Sequence, residues 1–422
     1  MEVIQSVFFV FIIRREWVET GLSLQRALTL ETVLVKGTHP TTPQWNHPLH
    51  KFSQGGDIGF RNVGWSSRCG RGRGKTGALA SSGQSQTRAN QPGRETWMMA
   101  TFNVATIDTG HEDMIHDAQM DFLGTKLATC SCDKNIRIFD LNVQTGTHTF
   151  VAELKGHEGP VWQLAWAHPR FDTLLASCSY DRRVIIWKEV LDVKHDGRKI
   201  PKWEPMYTYE GHESSVNSVC WAPPEWGLML AAGSSDGTIS VLSYVNDRWE
   251  AKKIPSAHTL GCNAVTWSPP TGPSSMSAGD PGSNAITAVK RFASGGCDNL
   301  VKIWKEENEE WTEETKLEGH SDWVRDVAWS PSAGLTKMKI ASCSQDRRVI
   351  VWNNRESDGV SWTPELLHVF DDVVWHVSWN FVGDVLAVSG GDNQVSLWKK
   401  RESESWECIS DSSKSQQQQH HH

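Results

Sequence analysis

No apolar run in this sequence approaches the roughly 20 residues that a membrane-spanning helix requires. The longest, residues 7–13 (VFFVFII), follows Glu2 and is not followed cleanly by a small-residue cleavage site, so no secretory signal is expected. Cysteines at metal or redox spacing are missing as well. The nine Cys are scattered singly apart from Cys130 and Cys132, with no CxxC pair and no Cys/His cluster at zinc spacing. That excludes a disulfide framework and a zinc module, and it suits reduced thiols of the cytosol or nucleus. Positive charge is also in deficit. The net charge of −8 provides no overall basic field to hold a nucleic-acid backbone.

What the chain does have is tryptophan, 22 residues of it in 422, enough for a large aromatic core. Residues 1–98 contribute little to that pattern. They are rich in Thr, Ser, Gly, Arg and Gln and keep no period of 2 or 3.6. Residues 68–77 (RCGRGRGKTG) suggest a phosphate-binding loop, but Cys69 stands where the pattern needs Gly, and no strand leads in. Residues 1–98 are therefore expected to be a disordered extension or the result of an upstream start, with Met99 opening the functional part. Residues 411–422, ending in QQQQHHH, are expected to be a low-complexity tail.

From 99 to 410 the sequence repeats itself, which must be read before any single motif. Nine residues separate His157 from Trp166, His212 from Trp221, His258 from Trp267 and His320 from Trp329. Phe370 to Trp379 and His111 to Met120 keep the step in more divergent copies. Six residues separate Asp181 from Trp187, Asp298 from Trp304, Asp346 from Trp352 and Asp392 from Trp398. Asp133 to Phe139 and Asp236 to Leu242 follow the same count. These turn aspartates fall 48, 55, 62, 48 and 46 residues apart, the longest interval stretched by the Pro/Gly/Ser-rich residues 269–288. Between them, apolar residues alternate or run in blocks of four to six bounded by turn residues, which is strand patterning. The expected fold is all-β: a WD-repeat propeller of six four-stranded blades.

The recurrent His, Ser, Asp and Trp invite a catalytic reading, perhaps of a hydrolase. A nucleophilic triad occurs once per enzyme, at a pocket. Here His157, Ser177, Asp181 and Trp187 are echoed by His258, Ser294, Asp298 and Trp304, and by His320, Ser342, Asp346 and Trp352. Repetition argues for architecture, a buried chain of hydrogen bonds in each blade. Other repeats depart from it, with Thr129 and Phe139 in the first, Ala232 and Leu242 in the third, and Phe370 and Val388 in the sixth. Cys130, Cys178, Cys297 and Cys343 are read as small core hydrophobes. No catalytic residue, cofactor or metal is expected. The pairs Trp162/Trp166, Trp323/Trp329 and Trp375/Trp379 are read mostly as blade core, with rings at blade ends as candidate anchors for partners.

Counting strands leaves one over. Outer strands are expected at 150–154, 206–209, 249–254, 311–317, 364–369 and 406–409, and residues 102–107 (FNVATI) precede a Gly-His like another. Either 102–107 closes a six-bladed ring by pairing with the sixth blade, or the ring is open and a seventh blade has one strand here and lacks about three. An open ring exposes strand edges to which another chain can add. The residues expected at such an edge are Val104, Ile107, Ile115, Val395, Leu397, Trp406 and Ile409.

Segments 159–169 (GPVWQLAWAHP), 176–181 (ASCSYD), 214–223 (SSVNSVCWAP), 261–267 (GCNAVTW), 292–298 (FASGGCD), 321–331 (SDWVRDVAWSP) and 372–379 (DVVWHVSW) are more specific than generic WD repeats. Through them the chain from Met99 to about residue 410 resembles the Sec-thirteen family, the small propeller subunits of the COPII outer coat and the nuclear pore Y-complex. A Seh-one type pore propeller is a poorer match. The resemblance implies a non-catalytic scaffold, an open six-bladed ring completed by a blade from an α-solenoid partner. That partner would be a Sec-thirty-one type coat protein or a Y-complex nucleoporin, in a hetero-oligomer that meets membranes only through its partners. It further implies the cytoplasmic face of the endoplasmic reticulum, coated vesicles, nuclear pores, and a nutrient-signalling complex of the TOR pathway at the lysosome or vacuole. The family pattern lacks residues 1–98. The alternative is a closed propeller that reads peptides on its top face.

Overall fold

The computed structural model describes residues 6–20, 23–37, 99–142, 145–193, 199–270, 289–331, 338–354, 361–392, 394–401 and 405–410. Residues 38–98, the segment 271–288 and the tail from 411 lie outside the described residues. Three strands come first: β1 (Ser6–Thr20), β2 (Ser23–Gly37) and β3 (Met99–Asp108). They form one sheet in that order, β1 and β2 as an antiparallel hairpin, β2 and β3 parallel.

Six four-stranded antiparallel sheets follow, each built from consecutive strands. Blade one is β4 (Ile115–Met120), β5 (Lys126–Ser131), β6 (Ile136–Asn142) and β7 (Thr147–Leu154). Blade two is β8 (Val161–Trp166), β9 (Leu174–Ser179), β10 (Val184–Val193) and β11 (Lys199–Tyr209). Blade three is β12 (Val216–Trp221), β13 (Met229–Ser234), β14 (Ile239–Val245) and β15 (Arg248–Ile254). Blade four is β16 (Cys262–Trp267), β17 (Arg291–Gly296), β18 (Leu300–Glu307) and β19 (Glu310–Glu318). Blade five is β20 (Val324–Trp329), β21 (Lys339–Ser344), β22 (Arg348–Asn354) and β23 (Trp362–Val369). Blade six is β24 (Val374–Trp379), β25 (Val385–Gly390), β26 (Val395–Lys400) and β27 (Trp406–Cys408). The fold is an all-β propeller of six four-stranded blades.

The second strand of each blade shows why these sequences stack. β9 (LLASCS) and β13 (MLAAGS) are buried along their whole length, so they read as unbroken runs of small and apolar residues without alternation. Each lies between two neighbouring blades, and both of its faces are core. The glycine before the repeat histidine has a steric cause. A Cβ on Gly156 would fall 2.9 Å from Cη2 of Trp187, and one on Gly319 the same distance from Cη2 of Trp352. The indole needs that space to reach its hydrogen bond.

Two expectations differ from what is observed. Residues 6–20 and 23–37 belong to the segment read as an extension without regular period, yet they are strands. Their apolar residues come in blocks rather than in alternation, and such blocks do not identify a strand by periodicity alone. The closed-ring solution required 102–107 to pair with the sixth blade. Instead β27 supplies that blade's fourth strand, pairing Trp398 with Cys408 and Lys400 with Trp406, and β3 pairs with β2.

Candidate functional site

The repeated polar set is a hydrogen-bonded tetrad inside each of three blades. In blade two the Trp187 indole N–H donates to Ser177 Oγ at 2.9 Å, leaving the hydroxyl proton for His157 Nε2 at 2.8 Å. His157 then carries its own proton on Nδ1 and donates it to Asp181 at 2.8 Å. Blade four repeats the chain through Trp304, Ser294, His258 and Asp298, with spacings of 2.8, 2.7 and 2.8 Å. Blade five repeats it through Trp352, Ser342, His320 and Asp346 at 2.9, 2.8 and 3.0 Å. All three serines are 0 % exposed, so no substrate reaches the hydroxyls.

The aspartate is needed because three kinds of donor converge on its turn. Asp181 also accepts the backbone N–H groups of Arg183 at 2.9 Å and Glu158 at 2.8 Å. Burial pushes the Asp181 carboxyl up, but the His157 hydrogen bond and these backbone donors hold it below the usual range. The same balance brings Asp346 down to about 2. The residue after each aspartate is left-handed, Lys134, Arg182, Asn299 and Arg347 lying at φ 71, 73, 67 and 66°.

The divergent blades keep parts of the chain. His111 joins Asp133 at 2.8 Å and Thr129 at 2.9 Å, while Phe139 brings only its ring. With Ala232 in place of Ser, His212 Nε2 is left buried without a partner, while Nδ1 meets Thr238 at 3.0 Å and faces Asp236 at 3.4 Å. In blade six Trp398 donates to Ser396 at 2.8 Å. Cysteines near the turns are core atoms. Burial pushes the thiols of Cys130, Cys178, Cys297 and Cys343 up, away from reactivity. Among the described residues no group of His, Cys, Asp and Glu gathers as a metal site, and no helix is long and apolar enough to cross a membrane.

The informative geometry lies between blades. Trp166 donates its indole N–H to the Gln119 carbonyl of the preceding blade at 2.9 Å. Trp221 does so to Ala165 and Trp267 to Cys220, both at 2.9 Å, and Trp379 to Ala328 at 3.1 Å. Between blades four and five the Trp329 backbone N–H reaches Thr266 Oγ1 at 3.2 Å. Blade one has Met120 at this position, whose thioether cannot donate. A second series joins the first strands of neighbouring blades. Asp117, Gln163, Ser218 and Asp326 accept the Leu164, Val219, Val265 and Val377 backbone N–H groups of the next blade. His376, the equivalent residue of blade six, turns back to Asp326 at 2.6 Å. Although about half of its side chain is exposed, the surrounding protein pushes His376 down, and the charge and hydrogen bond of Asp326, with Asp117 beyond, outweigh this and carry it up to about 9.

The apolar cores follow the same plan. Five large clusters each join two neighbouring blades, from one and two through to five and six. Among the described side chains, two small clusters stay within one blade and its flank. Ile107, Ile115, Ala118, Leu127 and Phe139 form the first, on the face of blade one that looks away from blade two. Val385 and Leu397, with Ala387 and Ile409 against them, form the second, on the face of blade six that looks away from blade five.

Of the expected edge residues, Ile107 and Ile115 thus fall in the first cluster, and Leu397 and Ile409 in the second. Val395 is half-buried and shares the strand parity of Leu397. Val104 pairs with Thr32 across the β2–β3 ladder. Trp406 is a correction. It packs toward blade five with Trp379 and Trp398, because strand alternation turns it opposite to Glu407 and Ile409.

Sequence reasoning missed two exposed apolar turns in blades one and six. Phe122 and Leu123 are 60 % and 62 % exposed in the turn after β4, and Phe381 is 77 % exposed in the turn after β24. Both turns are fixed from within. Asp121 accepts the Thr125 and Lys126 N–H groups, and Asn380 accepts those of Gly383, Asp384 and Val385. The matching patterns DFLGT and NFVGD were the available signal.

Stacked blades carrying this tetrad define a WD-repeat propeller. The WD domain, G-beta repeat family matches at residues 103–140, 148–188, 203–242, 275–305, 311–353 and 364–399. The chain belongs to the Sec13 family of such proteins. It is 58 % identical to the cattle (Bos taurus) "Protein SEC13 homolog" over 74 % of this chain and 94 % of that one. Identity is 52 % to the Drosophila melanogaster "Protein SEC13 homolog", over 71 % of this chain and 81 % of the relative. It is 48 % to the Emericella nidulans "Protein transport protein sec13", over 72 % and 96 %. The propeller and these relatives point to a non-catalytic scaffold.

Proposed function

We propose that this chain is a protein-transport scaffold, a COPII outer-coat subunit for traffic from the endoplasmic reticulum to the Golgi. On this reading the faces of blades one and six receive strands donated by an α-solenoid coat protein of the Sec-thirty-one type. The observation that carries it is the pair of small clusters. Every other blade face shares a large core with its neighbour, and burying one large apolar side chain is worth about 1.5–3 kcal/mol. Two faces that share no such core with each other among the described residues invite a partner's strands, which add main-chain hydrogen bonds and apolar contacts together. The exposed Phe122 and Phe381, in the turns after β4 and β24, are further candidate contacts for a partner.

One docking edge serves any solenoid with compatible strands, so the same reading extends to a Y-complex nucleoporin of the pore. It extends also to a nutrient-signalling complex of the TOR pathway at the lysosomal or vacuolar surface. The chain then works as one member of a hetero-oligomer, brought to membranes by its partners. The test is to mix the full chain with the Sec-thirty-one type solenoid protein and measure mass by light scattering after gel filtration. A stable 1:1 complex, lost with Ile409→Glu, is expected. Two separate peaks, or a complex indifferent to that change, would overturn the proposal.

A further inference from the structure

The place beside blade one is not left bare in this chain. The sheet order is β1-β2-β3, and β1 packs alongside β4, as β4 does alongside β8 and β20 alongside β24. β3 is followed by Gly110-His111, as the outer strands β11 and β19 are followed by Gly211-His212 and Gly319-His320. So β3 holds an outer-strand position, and β1 and β2 hold two inner ones. We propose that residues 6–37 are the resident occupant of the partner's docking place, an intramolecular stand-in for donated strands that must leave before a partner enters. This rests on the docking reading above and adds a competitor carried by the chain itself.

Two features make the stand-in removable. The sheet has three strands where each blade has four. β2 joins β3 in parallel, with a register shift between Thr29 and Glu31, whereas every pairing within the six blades is antiparallel. Parallel pairing is slightly weaker per residue. A partner with a complete set of antiparallel strands therefore competes on better terms. Only β3, joined to blade one directly, stays in place through the exchange.

The experiment compares the full chain with its Val33→Pro/Val35→Pro variant, which removes ladder donors where β2 faces Ala105 and Ile107. Amide exchange over 103–107 and affinity for the solenoid protein are both measured. Exchange in β3 should quicken in the variant while blades two to five stay unchanged. The variant should also bind about tenfold tighter, as expected if the docking place is free about a tenth of the time in the native chain. Unchanged β3 exchange, or equal affinity of both proteins, would overturn the stand-in and leave the docking proposal intact. Freed β3 amides with no binding by either protein would overturn the docking proposal and leave the self-occupied sheet standing.

Discussion

Trp166 donates its indole N–H to the carbonyl of Gln119 across 2.9 Å and so ties blade two to blade one. The same bond runs from Trp221, Trp267 and Trp379 to the blade before each, while Trp329 uses its backbone N–H instead and Met120 has no donor to offer. Replacing Trp221 by Phe keeps the ring in its cluster and removes only the donor. The expected loss is about 1 kcal/mol, read from urea unfolding midpoints.

The tetrads predict a larger effect with no catalytic counterpart. Ser342→Ala leaves the Trp352 indole and His320 Nε2 buried without partners. An orphaned buried polar group costs about 1–3 kcal/mol, and two are created here. Calorimetry should show a lowered Tm. An unaltered Tm would contradict a structural tetrad.

Acid should act on the tetrads through their aspartates. The Asp346 carboxyl is depressed to about 2, against about 3.9 in an unfolded chain. A depressed group contributes stability that is complete above its unfolded pKa and is lost as pH falls through the folded one. Asp346→Asn should therefore be less stable than the native chain at pH 7, and the gap should narrow between about pH 4 and pH 2. Unfolding curves across that range provide the check.

His376 should behave in the opposite sense. Asp326 and Asp117 hold it up at about 9, so its contribution is complete below the ordinary histidine range and fades as pH rises through 9. Its ring protons, followed by NMR, should titrate near 9 in the native chain and move down in Asp326→Asn.

Much of the propeller is legible in the residues because offsets of nine and six recur regardless of loop length. The tetrad follows from those offsets, since His, Ser, Asp and Trp can meet only if their strands stack in one sheet. The faces of blades one and six are harder to see. Leu397 and Trp398 are adjacent apolar residues, and only pairing shows that the first looks outward and the second toward blade five. Trp406 was misplaced for that reason. The β1–β2 hairpin escaped notice because blocky apolar runs do not declare a strand. Phe122 and Phe381 were hidden among loop residues, since exposure is not written in a sequence.

The two exposed phenylalanines separate binding from folding. Phe122→Ala and Phe381→Ala change exposed rings, so stability should stay within about 0.5 kcal/mol. Affinity for the solenoid partner should fall by about tenfold for each if they act as anchors. Titration calorimetry with both variants measures the pair.

The central claim is that a partner's strands enter between blade one and blade six, and amide exchange of the full chain with and without the solenoid protein tests it most directly. The expected result is slowed exchange confined to β3, β4, β25 and β26, together with faster exchange over 6–37. Binding that slows exchange on other blades and leaves those four strands unchanged would contradict it.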